Sequence, residues 1–359
     1  MKVIVLIELE IIPFNPSTAT VEDWKKYHIF RKILHDESHP NLPTVQDKPY
    51  EESMKLEPQR ITIRRFNVFE KKDLNTQIGE VYFSFYKDGT DPDAAMTNIS
   101  VLKSYRQKGI GLQLLKKLVD LAQEYKKSRI VFQSDEDEGI NVIEHFHAQK
   151  ISAQEQFRLN LSKTNWAIVN KWAEQTKPLL KEVKIEWVTV QDSLPSEILN
   201  QYIRIFSAVI DEHPKFHIGS AQDNQIPIGA LKHDIQLFNS KGGRWIIGLI
   251  REKNGDISGL TELKWSPLRP EVLLQFLTHV KLQYRGSGKG KLLKTSSMLY
   301  IKDNFPNIKY IQTGFVGEKT SSLYKMNETI GFKLFYHSAS YEIQTTDLEK
   351  WTNKHLKKH

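Results

Sequence analysis

Apolar residues recur along this chain at two spacings, every second position and every third or fourth, and the order of the spacings runs through twice. In the first half a strand over Lys2–Ile12 gives way at Pro13 and Pro16 to a helix that Thr18 or Thr20 caps. Trp24, Tyr27, Ile29, Phe30, Ile33 and Leu34 fall on it at helical spacing, and it stops before His39-Pro40. Residues 36–58 are polar and proline-bearing and predict a loop, with room for a short helix. Arg60–Val68 and Ile78–Tyr86 predict a hairpin, Ala94–Val101 the next strand, Leu114–Tyr125 an amphipathic helix, and Arg129–Ser134 a short strand. A helix over Asn141–Gln149 and a strand over Phe157–Leu161 close the half.

The second half predicts strand Lys184–Val190, a helix from Ser193 or Ser196, and strands Trp245–Arg251, Ser258–Trp265 and Val272–Val280. A helix carrying Leu292, Leu293, Ser297 and Tyr300 follows, then strand Tyr310–Phe315, helix Ser321–Thr329 and strand Lys333–Ile343. Landmarks keep a near-constant distance: His39 and His213 stand 174 apart, Gly79 and Gly259 180, Gly109 and Gly288 179. That period means two copies of one domain, at 1–164 and 183–359, joined through residues 165–182, where Asn165–Thr176 predicts a connecting helix ended before Pro178.

One short motif marks both copies, Tyr105-Arg106-Gln107-Lys108-Gly109-Ile110-Gly111 and Tyr284-Arg285-Gly286-Ser287-Gly288-Lys289-Gly290. Each follows a strand and opens a helix. Glycines let the backbone approach a ligand closely, and the free N–H groups of a helix start, backed by the helix dipole, favour an anion. No Lys-Ser or Lys-Thr follows the last glycine, and the spacing is not that of a dinucleotide fingerprint. The motif predicts a phosphate cradle.

With this order of elements, Val101-x4-Arg106-x2-Gly109-x-Gly111 and Val280-x4-Arg285-x2-Gly288-x-Gly290 make the chain resemble the GCN5-related N-acetyltransferase (GNAT) superfamily twice over, an α/β fold with a mixed sheet in tandem. Asn327 to Phe332 resembles the closing Gly-Phe motif, and Gln275, Thr278 and Val280 resemble a motif of tandem acetyltransferases. The resemblance implies that the loops at 106–111 and 285–290, with Val101 and Val280, bind acetyl-CoA as co-substrate, that a carboxylate or water deprotonates the amine, and that a tyrosine protonates the departing thiolate. Departures are visible. Phe146 and Asn327 stand where the tyrosine falls, Lys150-Ile151 replaces Gly-Phe in the first half, and Val316 and Thr320 replace asparagines after the fifth strand. Tyr324, one helical turn before Asn327, is the candidate acid; its alternative is a packed helix tyrosine.

Glu262, among apolar neighbours in a strand, is the candidate base, with an expected raised pKa. The matching residue in the first half is Tyr82, which favours the second half as catalytic and the first as a degenerate copy. His279, Glu80 and Glu271 are weaker candidates. The histidine pairs 35/39 and 145/147 lack ligand geometry, so no metal is expected.

Composition narrows the rest. The chain has 359 residues, 39% apolar and 26% charged, with no cysteine, which excludes thiolate chemistry and disulfides. Nothing resembles a signal or membrane segment, so a cytoplasmic location is expected. The net charge of +8 suits an anionic cofactor or an acidic substrate; no base-reading motif accompanies it, and the basic tail from Lys350 reads as a solvated helix end. The reading is an acetyl-CoA-dependent N-acetyltransferase acting on a small-molecule or peptide amine, with a non-catalytic acyl-CoA-binding scaffold as the alternative.

Overall fold

The computed structural model describes residues 7–40, 42–191, 193–212, 228–315 and 321–357. Residues 2–6 of the first expected strand, His213, Val316 and Thr320 lie outside them. In chain order the elements are β1 (Leu9–Pro13), α1 (Val21–Ser38), α2 (Asp47–Lys55), β2 (Ile61–Glu70), β3 (Asp73–Tyr86), β4 (Ala94–Val101), α3 (Ile110–Glu124), β5 (Arg129–Ser134), α4 (Asp137–His145) and β6 (Gln149–Asn160). Then come α5 (Trp166–Thr176), β7 (Val183–Val190), α6 (Ser196–Glu212), α7 (Ile228–Ser240), β8 (Arg244–Glu252), β9 (Ile257–Trp265), β10 (Val272–Val280), α8 (Lys289–Asn304), β11 (Tyr310–Phe315), α9 (Ser322–Ile330), β12 (Lys333–Gln344) and α10 (Thr345–Leu356).

Local chemistry sets several boundaries. Thr20 accepts from the backbone N–H of Asp23 at 3.2 Å while its own N–H donates to the Asp23 carboxylate at 2.9 Å, a capping box that starts α1. Asn165 caps α5 and Ser321 caps α9. Other expectations are corrected. Helix α7, for which the spacing of apolar residues gave no expectation, buries Leu231 and Ile235. The first-half closing helix is α4, earlier than Asn141–Gln149, and β6 begins at Gln149. The basic tail belongs to α10, which buries Leu348 and Thr352 and packs Trp351 on the first core; the positive charges on its other face hid that stripe.

The chain forms two compact units. The first holds residues up to 153 and 338–359; the second holds most of 154–337. In the first, antiparallel β1-β2-β3-β4 is followed by β5, parallel to β4, and then by residues 339–344 of β12, antiparallel to β5. In the second, antiparallel β7-β8-β9-β10 is followed by β11, parallel to β10, and then by residues 155–160 of β6. Each sheet is thus closed by a strand from the other half of the sequence repeat.

The second unit's sheet has two distinct faces. Leu263, Leu273 and Ile311 pack with Met298 and Ile301 of α8. Leu260 and Leu277 pack with Tyr202 and Phe206 of α6. By strand alternation Glu262, Lys264, Leu274, Gln312 and Arg158 lie on the face away from α8.

Candidate active site

Each unit contains a forked pair of parallel strands. β4 pairs with β5 only over Ala94–Thr97, and β10 pairs with β11 only over Val272–Leu274. Beyond those points each central strand loses its parallel neighbour, so backbone donors and acceptors on that edge face the fork.

Each fork points to a glycine turn. Gly109 and Gly288 are left-handed, at φ 75° and 81°, and serve as N-caps of α3 and α8 with no side-chain cap on the helix N–H groups. Two residues earlier the turn needs another positive φ, supplied by Gly286 at 77° in the second unit and by Gln107 at 61° in the first. A side chain at Gly286 would meet nothing within 4 Å, and one at Gly290 only the Met326 terminal methyl at 3.8 Å. The cradle is open and its donors are free, which fits a diphosphate.

The motif arginines do similar work in both units. Arg106 Nε donates to the Val101 carbonyl at 3.0 Å, and Arg285 Nε to the Val280 carbonyl at 2.8 Å, so each ties the turn to the end of its strand. Their outer nitrogens meet acids. Arg106 pairs with Glu138 and, at 3.2 Å, with Glu136; Arg285 pairs with Glu212 at 2.6 Å. In the first unit the Glu37 carboxylate also takes the Lys103 N–H, at 3.0 Å. Lys108 and Lys289 lie against the rings of Tyr105 and Tyr284, and Ser287 Oγ donates to the Tyr284 carbonyl at 2.7 Å. Ile110 is buried and anchors α3, while Gly111 opens to free space.

The two central strands differ. β4 pairs with β3 in unbroken register; β10 gains one residue against β9 between Gln275 and Thr278, a β-bulge. A buried polar network brackets the bulge. Gln275 Nε2 donates to Thr261 Oγ1 and Ser297 Oγ, both at 3.1 Å, and the Thr261 and Thr278 hydroxyls lie 2.9 Å apart. Lys294 Nζ, on a residue 1% exposed, donates to Gln275 Oε1 at 2.5 Å, and burial brings its pKa down to about 7. At matching positions the first unit has Val81, Ile99, Leu115 and Leu118 in place of Thr261, Thr278, Lys294 and Ser297. Sequence reading missed Lys294; its pairing with Leu115 across the repeat was the available signal.

Glu262 is fully buried. Oε1 accepts from the Tyr202 hydroxyl at 2.6 Å, and buried Oε2 has no hydrogen-bond partner. Burial and this carboxylate push the Tyr202 phenol well above its usual range. Tyr324 packs edge-on against Phe157 and Phe315 on the α8 side. His279 lies beside Arg285, at 3.5 Å. In the first unit Glu80 sits across from Ser100 on the unpaired part of β4, with the Tyr27 hydroxyl 3.4 Å away and Tyr50 beside Tyr27; burial pushes its carboxyl up to about 7. Among the described residues no group of three or more metal-ligating side chains forms.

Each unit thus has a forked strand pair ending on an uncapped glycine turn, and comparison with known proteins finds the same fold in duplicate. The model of the Acetyltransferase (GNAT) family matches residues 30–147. A tandem GNAT protein from the clavulanic acid biosynthesis pathway is similar in structure at TM-score 0.69 and 16% identity, covering 94% of this chain and 99% of that one. A GCN5-related N-acetyltransferase from Sphaerobacter thermophilus gives 0.61 and 10%, covering 95% and 97%. Saccharomyces cerevisiae N-myristoyltransferase, with bound myristoyl-CoA, gives 0.55 and 9%, covering 95% and 80%. No curated protein matches. The first repeat thus matches the GNAT family model over residues 30–147, and the chain as a whole shares the fold of a tandem GNAT protein.

Proposed function

We propose that the protein is an acetyl-CoA-dependent N-acetyltransferase that transfers the acetyl group directly to an amine, and that the second unit, built mainly from the C-terminal repeat, carries the reaction. The observation behind the choice of unit is the bulged, forked β10 ending on an open turn whose two positive-φ positions are both glycine. The first turn instead holds a glutamine at positive φ. It also lies beside the acid run Asp135–Glu138, two of whose carboxylates occupy Arg106.

Acetyl-CoA supplies the activated acyl group. The N–H groups at Gly288–Gly290 hold its diphosphate, and the free edge of β10 up to Val280 holds its amide arm. Glu262 is the base: Tyr202 fixes one oxygen, and the bare Oε2 is the lone pair left for the ammonium proton. The C–N bond forms as the C–S bond breaks, Tyr324 gives its proton to the leaving thiolate, and the second proton that the nitrogen sheds as it becomes an amide returns to the tyrosinate.

Gly288→Glu should abolish acetyl-CoA binding at the second turn and stop thiol release on an amine panel, while Gly109→Glu leaves turnover in place. Normal turnover by Gly288→Glu refutes the assignment. The inverse result would favour a second reading, turnover in the first unit with Glu80 as base, which the carboxyl poised near neutrality and the family match over 30–147 support. Running acetyl-CoA beside myristoyl-CoA reads the acyl preference.

A further inference from the structure

Arg158 is a half-buried cation with no acidic partner among the described residues. Its guanidinium lies 3.6 Å over the Phe335 ring and 5.1 Å from that of Tyr310. Nη2 donates to Gln312 Oε1 at 3.2 Å, while Nε is buried and donates to nothing. The charged residue acting on it is another cation, Arg269, and burial holds its pKa below the usual range. A desolvated guanidinium whose inner donor is unmade costs free energy that an anion in the plane of its fork would offset.

Its place in the sheet gives that anion a context. Lys264, Leu274, Gln312 and Arg158 form one cross-strand row on the face away from α8. The glycine turn presents acyl-CoA at the start of α8, so an acceptor reaches the fork from this other face. Leu274 and Phe276 there are 42% and 44% exposed, an apolar floor between the fork and Arg158. The duplicate supplies a control. Where the second unit has Ile311-Gln312 opposite Arg158, the first has Ile130-Val131 opposite Glu342, and Glu342 already pairs with Arg129 at 2.8 Å.

We propose that Arg158 binds an anionic group, carboxylate or phosphate, carried by the amine acceptor, whose apolar middle rests on Leu274 and Phe276. This rests on the second unit being the one that turns over. Strands lie about 4.8 Å apart, so two steps from β10 to β6 set amine and anion within about 10 Å.

The test uses the full chain saturated with CoA, titrated calorimetrically with inorganic phosphate and, separately, with succinate. Wild type should bind at least one, and Arg158→Gln should weaken it by about tenfold or more. Phosphate alone marks a phosphate-bearing acceptor, succinate alone a carboxylate-bearing one. A wild type that binds neither, or an Arg158→Gln variant that binds equally well, overturns the proposal. Arg158→Met guards against a folding artefact: removal of an unpaired charge should leave the melting temperature unchanged or higher, and a fall with unchanged anion affinity also overturns it. Kinetics on propylamine, β-alanine and phosphoethanolamine should show the anionic amines preferred, with Arg158→Gln raising their KM but not that of acetyl-CoA. If Gly288→Glu turns over normally while Arg158→Gln still loses the anion, the choice of catalytic unit fails and the anion site stands.

Discussion

Replacing Lys294 with methionine should reverse the sign of a stability difference across an accessible pH range. The side chain is 1% exposed, donates to Gln275 Oε1, and titrates near 7 rather than 10.5 because burial disfavours its ammonium form. The groups around it, Gln275, Thr261, Thr278, Ser297 and the Phe332 ring at 4.6 Å, are all uncharged. Unfolded, Lys294 holds its proton to 10.5; folded, only to about 7. In that window the unfolded chain binds the extra proton, so wild-type stability rises with pH from about 7 and is flat below it. Three pH units of that window are worth about 4 kcal/mol. Methionine removes the buried charge but strands the Gln275 oxygen, at about 1–3 kcal/mol. Urea unfolding at pH 6 should therefore find Lys294→Met the more stable protein, and at pH 10 the less stable one. A difference between the two proteins that stays constant within about 0.5 kcal/mol over that range would refute a lysine titrating inside the fold.

Tyr202→Phe leaves both Glu262 oxygens without a donor and should cost about 1–3 kcal/mol in denaturant, with kcat lowered and the acetyl-CoA KM unchanged. Glu80 titrates near 7 against 4.5 unfolded, so it erodes wild-type stability as pH rises from 4.5 to 7; Glu80→Gln should remove that fall from the thermal-melt profile. Gly248→Ala would set a Cβ 2.5 Å from the Trp187 ring, which stacks on Tyr300 at 4.0 Å, and should cost about 1–3 kcal/mol by chemical unfolding.

The local elements were the most legible part of the chain. Strands at Ala94–Val101, Arg129–Ser134, Val272–Val280 and Tyr310–Phe315 are where alternation and flanking turns put them, and Thr20 caps as its spacing to Asp23 requires. Periodicity says which face of a residue is buried, not against what. Glu262 looked like an isolated carboxylate because its donor, Tyr202, is sixty residues away on α6. The bulge in β10 adds one residue to a strand whose apolar pattern continues through it, so the fork's geometry in the second unit stayed hidden. Arg158 occupies an ordinary polar position in an alternating strand. What sets it apart is that Gln312, and no acid among the described residues, stands across the sheet from it, a property of the fold rather than of its neighbours in sequence.

The crossed closing strands have a consequence for taking the protein apart. A cut in the 165–182 connection leaves fragment 1–164 with an unclaimed β6 and a bare β5 edge, and fragment 183–359 with an unclaimed β12 and a bare β11 edge. Neither piece owns its own last plank, and an exposed strand edge seeks any backbone that will pair with it. Made separately, the halves should aggregate or exchange partners; made together, they should reassemble by trading ends. Two modules that read as separate in sequence are, through this exchange of strands, expected to part only at the cost of both sheets.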